Sequence, residues 1–342
     1  MKNKTVRFLC SGAVFLLLLG LILIPLQSLL SRKELAGPWD MTNKVGGFYN
    51  EAPNQFDVMF FGSSHAYASF TPLELWEETG VKSYVFATQQ QPPWATYTYI
   101  KEALKTQSPS LIVVECHMLL DDQEYYADPV TYSYSDEIPL SRNKVELAWV
   151  SSPTLEGRLG LLFNFLKYHG RWNELHRSDF FLDRSQLRDP YKGFVMLPPK
   201  PDPWYQPFIA DVTGRTPLGE KQQYWLEEII TLCQEQDIAL WLVKSPANLP
   251  PERKALLNSV QDTAQEHGIP FFDFNMNYQA IGIDETFFFD AYHLDALGAS
   301  RFTRYFASLL EERMPELIRD PSDPAWTADL ETYKQAQAQL LP

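Results

Sequence analysis

The sequence predicts an α/β protein with a mainly parallel sheet between two layers of helices, a helical insertion and one N-terminal transmembrane helix. Two features of the chain lead to this prediction. Short apolar runs, each as long as a buried strand, alternate with longer segments of helical periodicity. This alternation is typical of parallel strands joined by right-handed crossovers. An uncharged apolar stretch at residues 8–30 precedes the first of these runs.

The apolar stretch at residues 8–30 is long enough to cross a bilayer, because a hydrocarbon core of roughly 30 Å needs about 20 apolar residues in a helix. A cleaved signal peptide is the alternative, but its apolar region is usually shorter, and no clear small-x-small site follows here. The flanking charges and the free amine slightly favour a cytoplasmic N-terminus at residues 1–7 and an extracytoplasmic remainder. These charges are Lys2, Lys4 and Arg7 before the stretch and Arg32 and Lys33 after it.

The composition argues against several classes of protein. A net charge of -14 and a pI of about 4.9 argue against a nucleic-acid binder and against a surface held on anionic lipid by charge alone. Beyond the apolar stretch only Cys116 and Cys233 remain, which predicts two buried free thiols rather than a disulfide framework. The chain has no CxxC and no Cys/His spacing typical of zinc, so we expect neither a metal nor a cofactor.

The predicted strands and helices divide the chain into segments. Residues 31–55, with Gly, Pro and Asn among polar residues, are typical of a linker, and residues 56–320 carry the α/β pattern. Strands are predicted at residues 57–62, 83–87, 110–116, 238–246 and 269–274. Helices are predicted at residues 71–80, 94–106, 220–237 and 252–268, and after His293.

Two segments stand outside the strand–helix alternation. Residues 121–215 hold helix-like pieces and no strong strand, which predicts an inserted helical cap because a structureless loop of this length is improbable. Residues 321–342 form a polar tail that either packs as a strap or is loose.

The clearest candidate for chemistry lies where the first predicted strand ends. Ser63 and Ser64 follow Gly62 there. A serine hydroxyl becomes a nucleophile when a base, usually histidine, lies beside it and a carboxylate orients that base. Asp290 and His293, just before the last predicted helix, supply both groups. Open α/β sheets place their sites at the carboxyl ends of strands, and Ser…Asp…His is an order that the triad uses.

These two motifs resemble those of a known superfamily. Gly62-Ser63-Ser64 resembles the first block, Gly-Asp-Ser, of the SGNH (GDSL-like) hydrolases, with Ser63 in place of the aspartate. Asp290-x-x-His293 resembles the last block. The resemblance spans roughly residues 56–312 and implies a flavodoxin-like sandwich of the SGNH type. In particular, the chain resembles the membrane-anchored branch in cell-envelope O-acyl transfer, which includes the teichoic acid D-alanyl transfer protein and alginate O-acetyltransferase components.

The resemblance implies a role for each residue of the two blocks. Ser64 is the nucleophile, His293 the general base and Asp290 the group that orients the base. Gly62 and Ser63 make the tight turn, and backbone N–H groups near Ser64 form part of the oxyanion hole.

The second and third blocks of the superfamily are not matched. The second-block glycine is missing from FATQQQPPW, where Gln89, Gln90 and Gln91 offer side-chain amides instead. The third-block Gly-x-Asn-Asp is missing after LWLVK, where Asn248 is the only candidate for an oxyanion donor.

Several other polar side chains have two interpretations. His65, directly after Ser64, is expected to point away from the reaction centre and to support the turn. Glu115, His117, Asp121 and Asp122 could be imagined as metal ligands, but a strand-end histidine and a solvated acidic turn are favoured.

Two weaker candidates for substrate binding remain. Lys244 ends a predicted strand near the site and is a candidate for its wall. His169, Arg171, Trp172 and His176 either pack within the cap or bind a sugar or polyol, and both interpretations stay open.

These inferences lead to a membrane-anchored extracytoplasmic serine esterase or O-acyltransferase. It would pass an acyl group, most simply acetyl, through an ester on Ser64, and the substrate would be a cell-envelope or exported polysaccharide. The resemblance implies a multi-span membrane acyltransferase as partner, and no nucleic acid is expected. The alternative is a catalytically inactive scaffold or polysaccharide-binding subunit, which the unmatched second and third blocks favour.

Overall fold

A computed structural model describes residues 2–200 and 212–340 and contains one sheet of five parallel strands in the order β2-β1-β3-β4-β5. The strands are β1 (Val58–Phe61), β2 (Ser83–Val85), β3 (Leu111–Glu115), β4 (Ala239–Lys244) and β5 (Phe271–Asp273). Val58 of β1 pairs with Ser83 on one side and with Leu111 on the other, which makes β1 a central strand. The predicted α/β fold with a mainly parallel sheet is therefore confirmed, with each strand shorter than its apolar run.

Helices cover both faces of this sheet. One face carries α4, which packs against both α14 and α15, and the other carries α5 and α11, which pack against each other. The helices of the domain outside the cap are α2 (Met41–Lys44), α3 (Ser64–Tyr67), α4 (Pro72–Thr79), α5 (Pro93–Ala103), α11 (Glu220–Glu235), α12 (Pro251–Glu266), α13 (Tyr278–Ile281), α14 (Ala296–Arg313) and α15 (Pro324–Leu340). Because both faces are covered, β1 is apolar and buried along its whole length.

The described part of residues 121–215 contains helices and no strand. They are α6 (Asp128–Ser135), α7 (Arg142–Ser151), α8 (Leu155–Leu162), α9 (Asn164–Tyr168) and α10 (Arg177–Phe181), with 3₁₀ turns between several of them. A part of the predicted insertion, residues 201–211, lies outside the described residues.

The segment predicted as a linker packs onto the domain. Within residues 31–55, Met41, Val45 and Phe48 are buried, and the ring of Phe48 stacks on Phe86 at 4.1 Å. Their spacing of four and three places them on one side of a helical turn, which explains the packing.

The C-terminal segment also packs on the domain. Within the predicted tail, the Tyr333 hydroxyl is buried and donates to Glu74 Oε1 at 2.7 Å, which holds α15 against α4. Of the two alternatives, the structure therefore has the strap.

The N-terminal helix α1 (Lys2–Leu30) extends from the domain. Its segment Val6–Leu30 has a mean hydropathy of 2.6, and its most apolar part is not buried against the rest of the chain. By length and composition this helix can cross a membrane.

Candidate active site

A tight turn at the carboxyl end of β1 presents Ser64. Gly62 has φ +141°, and a Cβ there would lie 3.0 Å from the Cβ of Glu115, so the turn requires glycine. Ser63 is the N-cap of α3, and its hydroxyl accepts the His65 N–H at 3.4 Å. Ser64 is the first residue of this short helix and is 8 % exposed. The turn thus brings one hydroxyl, that of Ser64, to the edge of the sheet while Ser63 is used as a cap.

His293 and Asp290 complete a hydrogen-bonded chain with Ser64. The Nε2 atom of His293 lies 2.8 Å from Ser64 Oγ, and its Nδ1 atom lies 2.8 and 3.0 Å from the two carboxylate oxygens of Asp290. Asp290 Oδ1 also accepts the backbone N–H of Tyr292 at 2.8 Å. Residues 229 positions apart in the sequence therefore meet at hydrogen-bond distance in the arrangement that a serine nucleophile needs.

The environment of Asp290 keeps its carboxylate ionised. Partial burial raises the pKa of this carboxyl, but the hydrogen bond and charge of His293 and the N–H groups of Tyr292 and His293 outweigh burial, so the pKa lies below its usual value. An ionised Asp290 holds the proton of His293 on Nδ1, which leaves Nε2 free to accept the proton of Ser64.

A cavity of about 860 Å³ opens in front of Ser64, and most of its lining comes from three parts of the chain. The first is the edge of the sheet that carries Ser64, together with Asp290 and His293. The second is the chain that follows α1, and the third is the cap. The latter two contribute Arg32, Lys33, Glu34, Leu35, Ala36, Trp39, Pro129, Tyr132, Ser133, Asp136, Glu137 and Tyr168. The predicted site therefore lies between the domain, the cap and the segment that leaves the N-terminal helix.

A buried ion pair lies beneath the serine turn. Lys244 Nζ contacts Glu115 Oε1 at 2.9 Å, and both side chains are 0 % exposed. The Ser245 hydroxyl donates to the same oxygen at 3.1 Å, and the His117 N–H donates to Glu115 Oε2 at 3.0 Å. The prediction that Lys244 forms the site wall is wrong, because β4 pairs with β3 and places this ammonium beside Glu115 inside the protein.

His65 supports the site from this buried side. Its ring stacks on His117 at 3.6 Å, and its centroid lies 5.2 Å from that of His293. Burial lowers the pKa of both His65 and His117 well below the usual value, and the charge of Lys244 lowers each further. Arg253 Nη1 lies 3.0 Å from His117 Nε2. Within the described residues no group of three or more His, Cys, Asp or Glu side chains could hold a metal ion.

The candidate oxyanion donors Gln89, Gln91 and Asn248 differ in their position relative to the cavity. Gln89 lines the cavity, whereas Gln91 is buried and bonded to Thr96. Asn248 is half-buried, its backbone N–H donates to the Ala291 carbonyl at 3.0 Å, and it is not among the described residues that line the cavity. The loop after β4 thus lies beside the Asp290–His293 segment, but the structure does not place Asn248 on the cavity wall, and its role at the oxyanion hole stays a prediction. Among the described residues no acceptor binds the Ser64 N–H, which leaves it available as a donor.

None of His169, Arg171 and Trp172 is among the described residues that line the cavity, so the structure does not support their interpretation as a substrate site in front of Ser64. Arg171 braces the end of the N-terminal helix instead. Arg171 Nη1 donates to the carbonyls of Leu30 and Ser31, each at 2.8 Å. The last carbonyls of a helix lack partners within it, and an arginine satisfies them and complements the helix dipole.

Tyr67 was missed by the sequence reasoning. It lines the cavity and is buried, and burial raises the pKa of its phenol although the neighbouring Trp39 and Ser64 lower it. Its position three residues after Ser64, on the same helical turn, is the signal that could have identified it.

Comparison with known proteins finds similarity to a number of solved structures. No family model and no curated protein matches the chain. A solved structure from Desulfitobacterium hafniense DCB-2, described as a lipolytic protein of the G-D-S-L family, is 10% identical with a TM-score of 0.39, over 74% of this chain and 98% of the other. A structure from Bacteroides fragilis described as an acylhydrolase is 11% identical with a TM-score of 0.38, over 80% and 95%.

A third solved structure, a variant of an acetyl-xylooligosaccharide esterase from Geobacillus, is 11% identical with a TM-score of 0.36, over 78% of this chain and 98% of that one. At these scores the similarities carry no argument about activity. The functional assignment of this chain rests on the geometry of its own site.

Proposed function

We propose that this protein is a membrane-anchored, extracytoplasmic serine esterase or O-acyltransferase of the SGNH type. It acts on ester groups, most simply acetyl, of a cell-envelope or exported polysaccharide. The observation that supports this proposal is the hydrogen-bonded chain Ser64–His293–Asp290 at the edge of a cavity.

The distances suit a two-step acyl transfer. Ser64 Oγ attacks the ester carbonyl while His293 Nε2 takes the hydroxyl proton. The Ser64 N–H, aided by Gln89 on the cavity wall, donates to the oxyanion of the tetrahedral intermediate. His293 then gives its proton to the departing alcohol, and the acyl group remains on Ser64. In the second step His293 deprotonates water or a sugar hydroxyl, which takes the acyl group and releases Ser64.

The N-terminal helix supports the membrane part of the proposal. With α1 in the bilayer and the basic residues Lys2, Lys4 and Arg7 on the cytoplasmic side, the α/β domain lies outside. Residues 32–36, which follow α1, line the cavity, so an acyl group that reaches the outer surface of the membrane has a short path to Ser64. A multi-span acyltransferase is the partner that would supply it.

An inactive scaffold or polysaccharide-binding subunit is the second candidate. The specific observation that favours it is the unmatched second and third blocks, since Asn248 does not reach the cavity and no glycine stands near Gln89. Such a subunit would keep the cavity but would not form an acyl-enzyme.

A serine-directed phosphonate separates the two candidates. We expect the full-length protein in nanodiscs to form one covalent adduct on Ser64, located by peptide mass spectrometry, and to cleave an acetyl ester reporter. The Ser63→Ala protein should react like the wild type, and Ser64→Ala should not react. A folded wild-type protein without adduct and without esterase activity would establish the scaffold instead.

A further inference from the structure

We propose that the cap rests on the outer leaflet of the membrane through an apolar rim next to the N-terminal helix. The rim consists of Phe163, Leu166, Trp172, Phe180 and Phe181. In the membrane, this rim contacts lipid at the boundary between the headgroups and the acyl chains. This inference rests on the proposed anchoring by α1 and extends it, because it holds the cap and the cavity at the lipid surface.

The first step in the argument is that the cap packs on the last turns of α1. Leu23, Leu26 and Leu29 are half-buried, whereas the preceding part of the helix is almost entirely exposed. Gln27 Nε2 donates to the Leu162 carbonyl at 3.3 Å. The elements that contact α1 are α9, α10 and the 3₁₀ turn at residues 169–173.

Polar contacts fix this packing at the very end of α1. Asn164 Nδ2 donates to the Ser31 hydroxyl at 3.0 Å, and Arg171 binds the two final carbonyls. Lys33 Nζ and the Arg171 guanidinium both contact the carboxylate of Asp179, which is a buried residue of α10. The cap is therefore attached to α1 by a buried charged cluster and does not swing freely around it.

The second step in the argument is the depth in the bilayer at which the cap contacts α1. The apolar span Val6–Leu30 has 25 residues, which is about 37 Å of helix at the usual rise. A hydrocarbon core of roughly 30 Å takes about 20 of them. The cap contacts at residues 27–31 consequently lie at the outer boundary of the core, within a turn or two of helix.

The third step is the chemistry of the rim. Trp172 is 72 % exposed, Phe180 59 % and Phe181 75 %, and all three belong to the elements that contact α1. Large aromatic side chains gathered at the end of a membrane helix are typical of the interfacial region. The Arg177 guanidinium lies 5.8 Å over the Phe181 ring, where it can reach phosphates while its stem stays among apolar groups.

The net charge of the chain excludes a mainly electrostatic attachment. At -14 the protein is repelled by anionic lipid as a whole, so burial of apolar area has to supply the attraction. We therefore expect the contact to withstand high salt.

Spin labels measure the depth of the rim directly. The full-length protein carries Cys10→Ser, which leaves only the buried Cys116 and Cys233. Single cysteines then replace Trp172 or Phe181 in the rim and, as matched controls, Tyr224 and Met276, which are exposed side chains on other parts of the domain. The proteins are placed in nanodiscs of phosphatidylcholine, without any partner protein, and collisions with oxygen and with a water-soluble nickel chelate are compared.

We expect labels at 172 and 181 to lie about 5–10 Å into the boundary between headgroups and acyl chains, and labels at 224 and 276 to be in water. A label on Leu16 reports the anchor independently. If that label is deep and those at 172 and 181 are aqueous, the rim does not contact lipid, whereas the anchor stands. A rim that binds a partner protein and not lipid would give this same result, and this result overturns the inference. If the label on Leu16 is aqueous, both the anchor and the inference fail.

Discussion

The two segments that meet at Ser64 Oγ differ in how much protein surrounds them. Every residue from 60 to 73 is buried, and Glu115, Lys244 and Ser245 support the turn from below. The side chains of Asp290 and His293 are 28 % and 21 % exposed, and an isolated antiparallel bridge between Phe288 and Leu294 closes their loop.

Because of this difference, we expect changes in the two segments to affect different properties, the stability of the fold in one case and the proposed reaction in the other. The serine turn holds a glycine at positive φ and the buried His65, and an ion pair and His117 support it from below, so changes in this region are expected to destabilise the fold. The side chains of Asp290 and His293 are partly exposed, so changes at these two positions are expected to affect the proposed reaction and to leave the fold intact.

Ser64→Ala should have the largest effect. It removes the nucleophile, and kcat on an acetyl ester should fall by a factor on the order of 10⁶, as when a serine protease loses its serine. The melting temperature should change little, since the partner of the hydroxyl is His293, whose side chain is 21 % exposed. Ser63→Ala is the matched control: it should cost about 1 kcal/mol of stability through the lost N-cap and keep its kcat. Equal loss of activity in both variants would argue against Ser64 as the sole nucleophile.

Asp290→Asn should come next. An amide no longer selects the tautomer of His293, and kcat should fall by a factor on the order of 10⁴ at a nearly unchanged melting temperature. Asp284→Asn, on the same loop but bonded to Thr286, should leave kcat unchanged. Steady-state kinetics and differential scanning calorimetry on the three proteins test this. A large drop in melting temperature for Asp290→Asn would mean that the loop is structural after all.

Lys244→Met tests the expected role of the buried serine-turn region in stability. It leaves the Glu115 carboxylate buried without its cation, which should cost about 3–5 kcal/mol of unfolding free energy. Lys334→Met, at the surface pair with Glu77, should cost less than about 1 kcal/mol. Urea denaturation measures both. Similar small losses in the two variants would show that the buried pair contributes little to holding the turn.

The smallest effect should be a pH dependence of the serine turn. Burial lowers the pKa of His65 and His117, so below about pH 6.5 the unfolded chain binds protons that the folded protein does not. Stability should therefore fall on acidification from pH 7 to 5, by up to about 1.4 kcal/mol per pH unit for each histidine. Asp290, whose pKa is also lowered, should contribute only as the pH falls below about 4.

His65→Gln is the variant that checks this slope. Its unfolding free energy should vary less with pH between 5 and 7 than that of the wild type, whatever its value at pH 7. Gln265→Ala, at an exposed position of α12 that does not titrate, is the control and should keep the wild-type slope. An unchanged slope for His65→Gln would mean that this histidine takes up a proton in the folded protein.

Much of the fold could be predicted because its signals are local. Each strand is an apolar run bounded by a turn, and α1 is an uncharged stretch of membrane length. The motifs around Ser64 and Asp290 lie at the end of the first strand and before the last long helix of the sheet layers, so parallel-sheet topology, the order of the triad residues and the family resemblance together predicted that they meet. The structure brings Ser64, His293 and Asp290 within hydrogen-bond distance.

The contacts that could not be predicted join distant residues without a local signal. Lys244 and Glu115 are 129 positions apart, and their pairing follows from the neighbouring positions of β3 and β4 in the sheet. Arg171 lies 141 positions from Leu30 and belongs to the end of α1 rather than to a substrate site.

By itself, the sequence determined the strands, the helices and the residue types at the site, since periodicity and turn chemistry act over a few neighbouring residues. Only the tertiary structure decided that the chain after α1 lines the cavity, that Lys244 is buried and that the cap is fixed to the N-terminal helix. The physical reason is that a charged or aromatic side chain has the same local pattern at a surface, in a buried pair or against another helix. Its partner depends on which elements the folded sheet and cap place beside it.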